Sequence, residues 1–349
     1  MTDGVVTGEA GGTRAQRATL SEVAALASVS VATVSKVLNG RSGVSDETRS
    51  RVESLLDERN YNRRTTAQST APLVDVLCFE IDSPFGSAAI AGVERITREQ
   101  GIGMVVTGTQ DSHQPTAAWV EGVLRRQPIG IILVAAALSE KVKARLRSRN
   151  IPVVMIDPYG APGTDAPSIG SADWNGGYLA TRHLVELGHT RIAIITGPDD
   201  MLASTARLSG YRAALDSAGL RPRRDWIKPG KFHHDDGLSQ GLELLSAEGD
   251  DRPTAIFASS DIQALGVYDA ARSLGLDVPG DVSVVGYDDV SIAKWAGPAM
   301  TTIHVPLAEM AEQAMHLVTR LRDEPELAFR RVDMATTLVA RDSTAAPRA

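Results

Sequence analysis

The chain has 349 residues, a net charge of -7 at pH 7 and a single cysteine, and 43% of its residues are hydrophobic. This length predicts two or three domains, and Cys78 alone excludes an internal disulfide or a cysteine-based metal site. No run reaches the ~18 apolar residues of a membrane helix, and residues 1–18 lack the apolar core of a secretory signal. We therefore expect a cytoplasmic protein with no membrane partner and a disordered tail over residues 1–18.

Charge is distributed unevenly along the chain. Residues 13–71 contain nine Lys and Arg against six Asp and Glu, whereas residues 72–349 contain 27 against 35. Binding to phosphates is therefore expected only of the N-terminal segment, and the acidic remainder should have another role.

The segment TLSEVAALASVSVATVSKVLNG, from Thr19 to Gly40, predicts two short helices joined by a three-residue turn. Thr19 and Glu22 are spaced as a capping box, Ser30 is placed to cap the second helix, and Ser45 starts a third. This order matches a helix-turn-helix, whose second helix enters the major groove of DNA. A three-helix bundle without a DNA role fits the periodicity equally well.

This segment and VSDETRSRVESLLDERNYNRR resemble the headpiece of the lactose repressor (LacI/GalR) family. The resemblance implies that Val31, Ala32 and Lys36, at the start of the second helix, read bases; a solvated surface lysine is the alternative for Lys36. Contacts to phosphates are expected of eight further residues: Thr19, Ser30, Thr33, Ser35, Asn39, Arg41, Arg63 and Arg64.

Residues 19–61 are thus predicted to form a DNA-binding headpiece, followed by a hinge or linker over residues 62–72. The hinge sequence NRRTTAQSTAP is polar and contains no leucine. The family usually inserts a hinge leucine into the minor groove as a wedge, so this departure puts the wedge in doubt.

From Leu73 onward, short apolar runs alternate with helical segments, which is typical of parallel sheets covered on both faces. The pattern predicts two similar doubly wound α/β halves over residues 73–341, with ligands at the carboxyl ends of the strands. A single final strand is expected over RRVDMATTLVAR, and residues 342–349 are expected to form a tail.

Sequence signatures of catalysis are absent. The GIG at residues 101–103 lacks a third glycine and precedes a strand, and neither a Walker sequence nor a Gly-x-Ser-x-Gly elbow occurs. The HHDD at residues 233–236 has metal-ligand residue types, but consecutive residues on a predicted loop do not readily converge on one ion. We therefore expect no enzyme activity, no catalytic residue, no metal and no cofactor.

Four stretches of the body, among them ATRHLVELGHTRIAIITGP and ASSDIQALGVYDAARSLGLDVPGDVSVVGYDD, also resemble the LacI/GalR family. In that family the body is similar to periplasmic sugar-binding proteins. The resemblance implies an effector site containing Arg207, Ser260, Asp261 and Asp288, with Ser260 standing where the family commonly has Asn. Arg207 and Asp288 could instead form a structural ion pair.

The chemistry of further side chains adds candidate residues to this effector site. Asp82 and Asp157 follow predicted strands, where a carboxylate can accept hydrogen bonds from sugar hydroxyls. Asp82 could equally cap a helix. Sugars also present an apolar face to aromatic rings, and four aromatic residues lie in predicted loops near strand ends, although each could be packing: Phe85, Trp174, Phe232 and Trp295.

The sequence therefore predicts a helix-turn-helix three-helix domain followed by two doubly wound α/β subdomains of periplasmic-binding-protein type. The expected function is a homodimeric repressor of carbohydrate-utilisation genes that binds a pseudo-palindromic DNA operator. Its effector is expected to be a small sugar, because the aromatic set favours a sugar over a purine. The resemblance within the family suggests the xylose or plant-oligosaccharide type as a first guess. A free sugar-binding protein and an enzyme are the competing hypotheses.

Overall fold

The computed structural model describes residues 19–38, 43–58, 72–109, 112–159, 167–324 and 331–348. The chain divides into two compact units, residues 1–70 and 71–349. Several predictions fall outside the described residues, and they concern the tail at 1–18, hinge residues 62–71, Asn39, Arg41, Arg63 and Arg64.

The first unit contains three helices, α1 (Leu20–Leu26), α2 (Val31–Leu38) and α3 (Asp46–Glu58). The chain direction turns by 104° between α1 and α2, within the range of helix-turn-helix pairs. Ser28 adopts a left-handed φ of 54° in the turn. One small core joins the helices through Val23, Ala24, Ala27, Val34, Val37, Leu38, Val52 and Leu56.

Side-chain caps start all three helices where the sequence predicts them. The Thr19 hydroxyl accepts from the Glu22 N–H at 3.3 Å, and the Glu22 carboxylate accepts from the Thr19 N–H at 2.6 Å. The Ser30 hydroxyl accepts from the N–H of Thr33 at 3.1 Å, and Ser45 does the same for the third helix. The capping box and both serine caps are confirmed.

The second unit contains two six-stranded sheets, as expected of two similar halves. All pairings in the first sheet are parallel. In spatial order its strands are β11 (Val332–Met334), β5 (Ser168–Ser171), β4 (Val153–Ile156), β3 (Gly130–Val134), β1 (Leu73–Cys78) and β2 (Gly103–Gly108).

The second sheet is parallel except for its last strand, which runs antiparallel to its neighbour. In spatial order its strands are β12 (Thr337–Val339), β10 (Thr301–His304), β9 (Ser283–Asp288), β8 (Ala255–Ala258), β6 (Ile192–Ile195) and β7 (Ile227–Lys228).

Nine helices of the second unit accompany these strands in the described residues. They are α4 (Pro84–Glu99), α5 (Ala117–Arg126), α6 (Glu140–Arg147), α7 (Asp173–Glu186), α8 (Leu202–Ser217), α9 (His234–Leu245), α10 (Asp261–Ser273), α11 (Ser291–Trp295) and α12 (Leu307–Asp323). Since α9 begins at His234, the predicted loop at residues 234–236 is wrong: these residues form the first turn of a helix for which His233 is the N-cap residue.

The chain passes between the two sheets at three described connections, from β5 to α7, from β10 to α12 and from β11 to β12. The prediction of one final strand is therefore wrong, because the chain leaves the first sheet after Met334 and joins the second at Thr337. The β5–α7 and β11–β12 connections are hydrogen-bonded to each other. Ala172 donates its N–H to the Met334 carbonyl at 2.8 Å and accepts from the Thr336 hydroxyl at 3.3 Å.

The C-terminal segment is packed along the second sheet. Ser343 is fully buried, and its hydroxyl donates to the Val284 carbonyl at 2.6 Å. The Ala345 N–H donates to the Ser283 hydroxyl at 3.0 Å, and the Ala345 carbonyl lies 2.9 Å from Nε2 of His189. The expectation of a tail at 342–349 is thus corrected for residues 342–345, because their polar groups form hydrogen bonds with the second sheet and with α7.

No single described helix is long and apolar enough to cross a membrane. The helices α1 and α2 meet the length and composition requirement only when they are taken together, and they are sharply bent against each other.

Candidate functional site

The exposed side of α2 carries the residues predicted to read bases. Val31 is 45% exposed, and Ala32 and Lys36 are exposed as well. The opposite side of the same helix is buried in the core of the first unit through Val34, Val37 and Leu38. This split leaves one face of α2 open to a partner, as a groove-reading helix requires.

Four of the polar residues predicted to contact phosphates lie in the part of the chain that the structure describes. Thr19 and Ser30 are exposed, and the Ser30 hydroxyl lies 2.9 Å from that of Thr33. Thr33 and Ser35 are half-buried. Their roles in DNA binding remain predictions.

A second site lies where the strands of both sheets end at their carboxyl termini. Asp157 follows β4 and Asp288 ends β9, and with Phe232 they have left-handed φ values of 42°, 105° and 69°. Each such conformation in a residue other than glycine costs about 1–3 kcal/mol and is typical of functional sites. We refer to this region between the sheets as the cleft.

Arg207 of α8 is the central cation of the cleft and is 4% exposed. Its Nε donates to Oδ1 of Asp173 at 2.8 Å, and its Nη1 donates to the Ser259 carbonyl at 2.7 Å. The guanidinium lies 3.6 Å from the ring centroid of Tyr287. Although burial opposes its charge, the Asp173 carboxylate and other anionic neighbours hold the pKa of Arg207 above its usual value.

Asp288 has an oxygen without a hydrogen bond. Its Oδ1 is 3.9 Å from Nη2 of Arg207, too far for a hydrogen bond, and it accepts none from the described residues. Burial raises the pKa of Asp288 well above the usual range, and Arg207 counteracts this only in part. A buried acceptor of this kind calls for a ligand that donates a hydrogen bond.

Asp157 faces the same region from the first sheet. It is 8% exposed, and its Oδ1 accepts from the Ser171 N–H at 3.3 Å. Burial and then the charge of Asp173 raise the pKa of Asp157 to about 7. The structure therefore brings Asp157, Arg207 and Asp288 together, as the sequence predicts, through the network around Asp173.

Two predicted effector residues have structural roles. Asp261 is fully buried, and its two carboxylate oxygens accept from the Val290 N–H at 2.9 Å and the Thr302 hydroxyl at 2.5 Å. The Ser260 hydroxyl accepts from the Gln263 N–H at 3.1 Å and donates to the Phe232 carbonyl at 2.9 Å. These groups hold α10 and its neighbouring loops, and their contact with an effector remains a prediction.

The predicted aromatic residues differ in exposure. The Phe232 ring lies against Gly197, where a Cβ would come within 2.0 Å of it, and is 5.4 Å from the Arg207 guanidinium. Trp174, in the first turn of α7, is 49% exposed and stacks on Tyr178 with ring centroids 5.4 Å apart. Phe232 therefore lies beside the cleft cation, and a role for Trp174 remains a prediction.

The other three predicted effector residues have no contact with the charged groups of the cleft among those the structure shows. Trp295 is 77% exposed at the end of α11, Phe85 packs against the main hydrophobic core, and Asp82 is exposed. Asp82 is not the helix cap, since the Ser83 hydroxyl accepts from the Gly86 N–H at 3.0 Å.

The sequence did not identify several residues of this site. Asp173 anchors Arg207, and the Tyr287 hydroxyl donates to the same Asp173 oxygen at 3.2 Å. The sequence contains no signal for Asp173, because the strand that precedes it, Ser168–Ser171, is short and carries no strand pattern. Three buried hydroxyl groups at this end of the sheets have no hydrogen-bond partner in the described residues, and they belong to Ser171, Ser204 and Ser259.

Two side-chain pairs join the two halves of the second unit near the cleft. The Tyr159 hydroxyl, from the loop after β4, donates to the Asp200 carboxylate in the loop after β6. Oε1 of Glu80, after β1, lies 3.1 Å from Nε2 of His233 at the start of α9. Tyr159 also stacks on His113, whose ring lies against Phe79.

Comparison with known proteins agrees with both units. Residues 19–64 match the model of bacterial regulatory proteins of the lacI family, and residues 181–344 match that of a periplasmic binding protein-like domain. The ribose operon repressor of Escherichia coli K12 is 34% identical over 331 residues, 93% of this chain and 99% of that protein. The HTH-type transcriptional repressor PurR of Vibrio vulnificus is 31% identical, covering 93% and 98%.

Solved structures are similar over the same extent. A cellobiose complex of the transcriptional regulator CelR has a TM-score of 0.69 at 32% identity, covering 94% of this chain and 100% of that one. The lac repressor dimer bound to operator and the anti-inducer ONPF has a TM-score of 0.67 at 27% identity, covering 95% and 100%.

A ribose-bound LacI family regulator from Enterococcus faecium has a TM-score of 0.71 at 26% identity, covering 79% of this chain and 100% of that one. The predicted family and fold class are confirmed by these matches. The chain belongs to the lacI family of bacterial regulatory proteins.

Proposed function

We propose that this protein is a homodimeric transcriptional repressor of carbohydrate-utilisation genes, whose affinity for a pseudo-palindromic operator is set by a small sugar in the cleft. Two-fold symmetry is part of the proposal because one helix-turn-helix makes too few contacts for specific binding. Because its target is operator DNA, we expect the protein to act in the cytoplasm. No enzymatic step is part of this function.

On the DNA side, the proposal rests on α2. Its exposed face presents Val31 and Ala32, which suit contact with thymine methyl groups, and Lys36, which can reach a base edge or a phosphate. The relatives that bind operators include the lac repressor dimer, which covers both units of this chain.

On the effector side, the observation that carries the proposal is the unpartnered Oδ1 of Asp288 beside the buried Arg207. A sugar hydroxyl donates to such an oxygen, and the neighbouring serine hydroxyls can accept or donate in return. Similar structures hold ribose or cellobiose, which supports a sugar ligand.

The first test is fluorescence anisotropy of the full chain with a pool of short palindromic duplexes and excess nonspecific competitor, with and without pentoses, hexoses and disaccharides. We expect selective binding to one duplex class and a change in that binding with one sugar. Binding to all duplexes alike, or a response to no sugar alongside a response to purine bases, would contradict the proposal.

A further inference from the structure

The charge balance of the cleft restricts the chemical class of its ligand. Three carboxyl groups, those of Asp157, Asp173 and Asp288, are each more than nine-tenths buried there, and they accompany one equally buried guanidinium, that of Arg207. Acidic groups thus outnumber the cation around the space in which a ligand would lie.

Arg207 is already engaged by the protein. Two of its three nitrogens donate to Asp173 and to the Ser259 carbonyl, and the third points toward Asp288 at 3.9 Å. A ligand anion would therefore have to compete with two carboxylates for this guanidinium. Binding an anion there would leave Asp173 or Asp288 without its counter-charge, which is costly at buried positions.

No other buried cation of the described chain serves the cleft. Lys143 on α6 lies 2.8 Å from Glu140, and the His189 ring is held by Thr254, Ser283 and the C-terminal segment. Arg331, which is close enough to favour the charged form of Asp157, is paired with Asp333 at 2.6 Å.

The hydrogen-bonding groups of the cleft also favour a neutral ligand over an anionic one. The free Oδ1 of Asp288 lies buried without a hydrogen bond, so a donor on the ligand would satisfy it. Hydroxyl groups of a sugar donate, whereas phosphate and carboxylate oxygens accept. The orphan hydroxyls of Ser171, Ser204 and Ser259 are compatible with either.

The protein's own carboxyl groups also resist ionisation in this environment. Burial, followed by the charge of Asp173, raises the pKa of Asp157 to about 7, and burial raises the pKa of Asp288 well above its usual value. An added negative charge would meet the same lack of solvent and the same like-charge repulsion.

We infer that the effector is an uncharged polyhydroxyl compound and that Asp157 and Asp288 exclude phosphorylated sugars and sugar acids from the cleft. This inference rests on the proposed function for the location of the ligand, and it adds a selection between neutral and anionic sugars. Asp157 and Asp288 are thereby assigned as specificity-determining residues.

The test is isothermal titration calorimetry of the full chain at pH 8 with matched pairs that differ in charge. The pairs are ribose and ribose 5-phosphate, xylose and xylonate, glucose and glucose 6-phosphate, and cellobiose and cellobionate. We expect the neutral member of the pair that binds to have a Kd lower by on the order of 10- to 100-fold, as like charges a few ångströms apart require. An anionic member that binds as tightly overturns the inference.

Two variants assign the selection to named groups. Asp157→Asn removes a carboxyl group that is mostly ionised at pH 8, and it should reduce the ratio of the two Kd values at least ~3-fold. Asp288→Asn removes the second acidic group at the same side-chain size, and it should reduce the ratio as well. The matched control is Asp216→Asn, which removes an exposed charge from the helix that carries Arg207. A ratio unchanged in both cleft variants would overturn the assignment, and Asp157→Asn still decides it if the other variant does not fold.

The outcome is separable from that of the proposed function. Binding of a neutral sugar without any effect on operator affinity would contradict the repressor mechanism and leave the selectivity intact. Operator release by a phosphorylated sugar that binds more tightly than its neutral partner would support the repressor mechanism and contradict the selectivity.

Discussion

At the scale of single residues, the cleft is a set of buried charges that are only partly compensated. Asp173 and Tyr287 hold Arg207, while Asp157 and Asp288 remain short of partners. Such groups do not stabilise the fold in the absence of ligand. Their cost should therefore be visible in the pH dependence of stability.

Asp157→Asn should stabilise the ligand-free protein at high pH. The folded-state pKa of Asp157 is about 7 against an ordinary 3.8, so the folded form holds a proton that the unfolded chain releases between these values. Its contribution to stability is present below about pH 4 and is lost as pH rises through about 7. Asn removes that loss, which amounts to at most about 4 kcal/mol.

Urea unfolding at pH 8 and at pH 5 measures this effect. We expect the variant to exceed the wild type in free energy of unfolding at pH 8 and by less at pH 5, with Asp216→Asn equal to the wild type at both. A gain independent of pH would show that the Asp157 carboxyl is not the cause.

Lys36→Ala should weaken operator binding and relax the preference at one base pair. Its exposed position beside Val31 and Ala32 gives it access to a base edge, and such contacts contribute about 1–3 kcal/mol. Anisotropy with duplexes substituted one base pair at a time measures this, with Lys141→Ala in the second unit as the control. An equal loss across all duplexes would mean that Lys36 contacts phosphate only.

At the scale of elements, the sequence identified most helices and strands because their apolar periodicity and caps are strong. The caps of α1 and α2 were read directly from Thr19, Glu22 and Ser30, and the structure has the same hydrogen bonds. Two strands were missed: Ser168–Ser171 has small and polar residues, and Ile227–Lys228 has only two. Neither offers the length or β-branched content on which strand prediction depends.

The site was predictable in part for a related reason. Residues at strand ends, such as Asp157 and Asp288, are found from topology, because parallel strands finish at one edge. Hydrogen-bond partners in distant segments of the chain cannot be found from topology. Asp261 accepts hydrogen bonds from Val290 and Thr302, and Asp173 accepts one from Arg207. These pairings depend on three-dimensional packing, which the spacing of residues in the sequence does not encode.

Thr19→Ala should destabilise the first unit through its first helix. The substitution removes the hydroxyl half of the capping box at α1, which costs about 0.5–2 kcal/mol. Thermal unfolding followed by circular dichroism should show a lower Tm for the transition of the first unit, and Ser21→Ala, on the exposed side of the same turn, should leave it unchanged. Equal effects of both substitutions would argue against a specific cap.

At the scale of the whole second unit, we expect ligand binding to depend on how the two sheets approach each other. The Tyr159 and Asp200 pair and the Glu80 and His233 pair connect the two halves near the cleft without belonging to the buried charge network. Contacts of this kind favour a closed arrangement and so add to ligand affinity indirectly.

Tyr159→Phe should therefore reduce sugar affinity although its hydroxyl is not assigned to the ligand. The aromatic stack on His113 is retained, and only the hydrogen bond between the halves is lost, which should raise Kd about 2- to 10-fold. Calorimetry measures the change, with Tyr178→Phe as the control. An unchanged Kd would show that this pair does not contribute to closure.

The packing of the C-terminal segment has a practical consequence for how the protein is expressed. Trimming residues 342–349 as if they were dispensable would strip the partners of His189, Ser283 and Thr301 from the second sheet. Each buried polar group left unpaired costs about 1–3 kcal/mol. A truncated chain should therefore be recovered mainly in insoluble form, whereas a chain that retains residues 342–345 keeps these bonds.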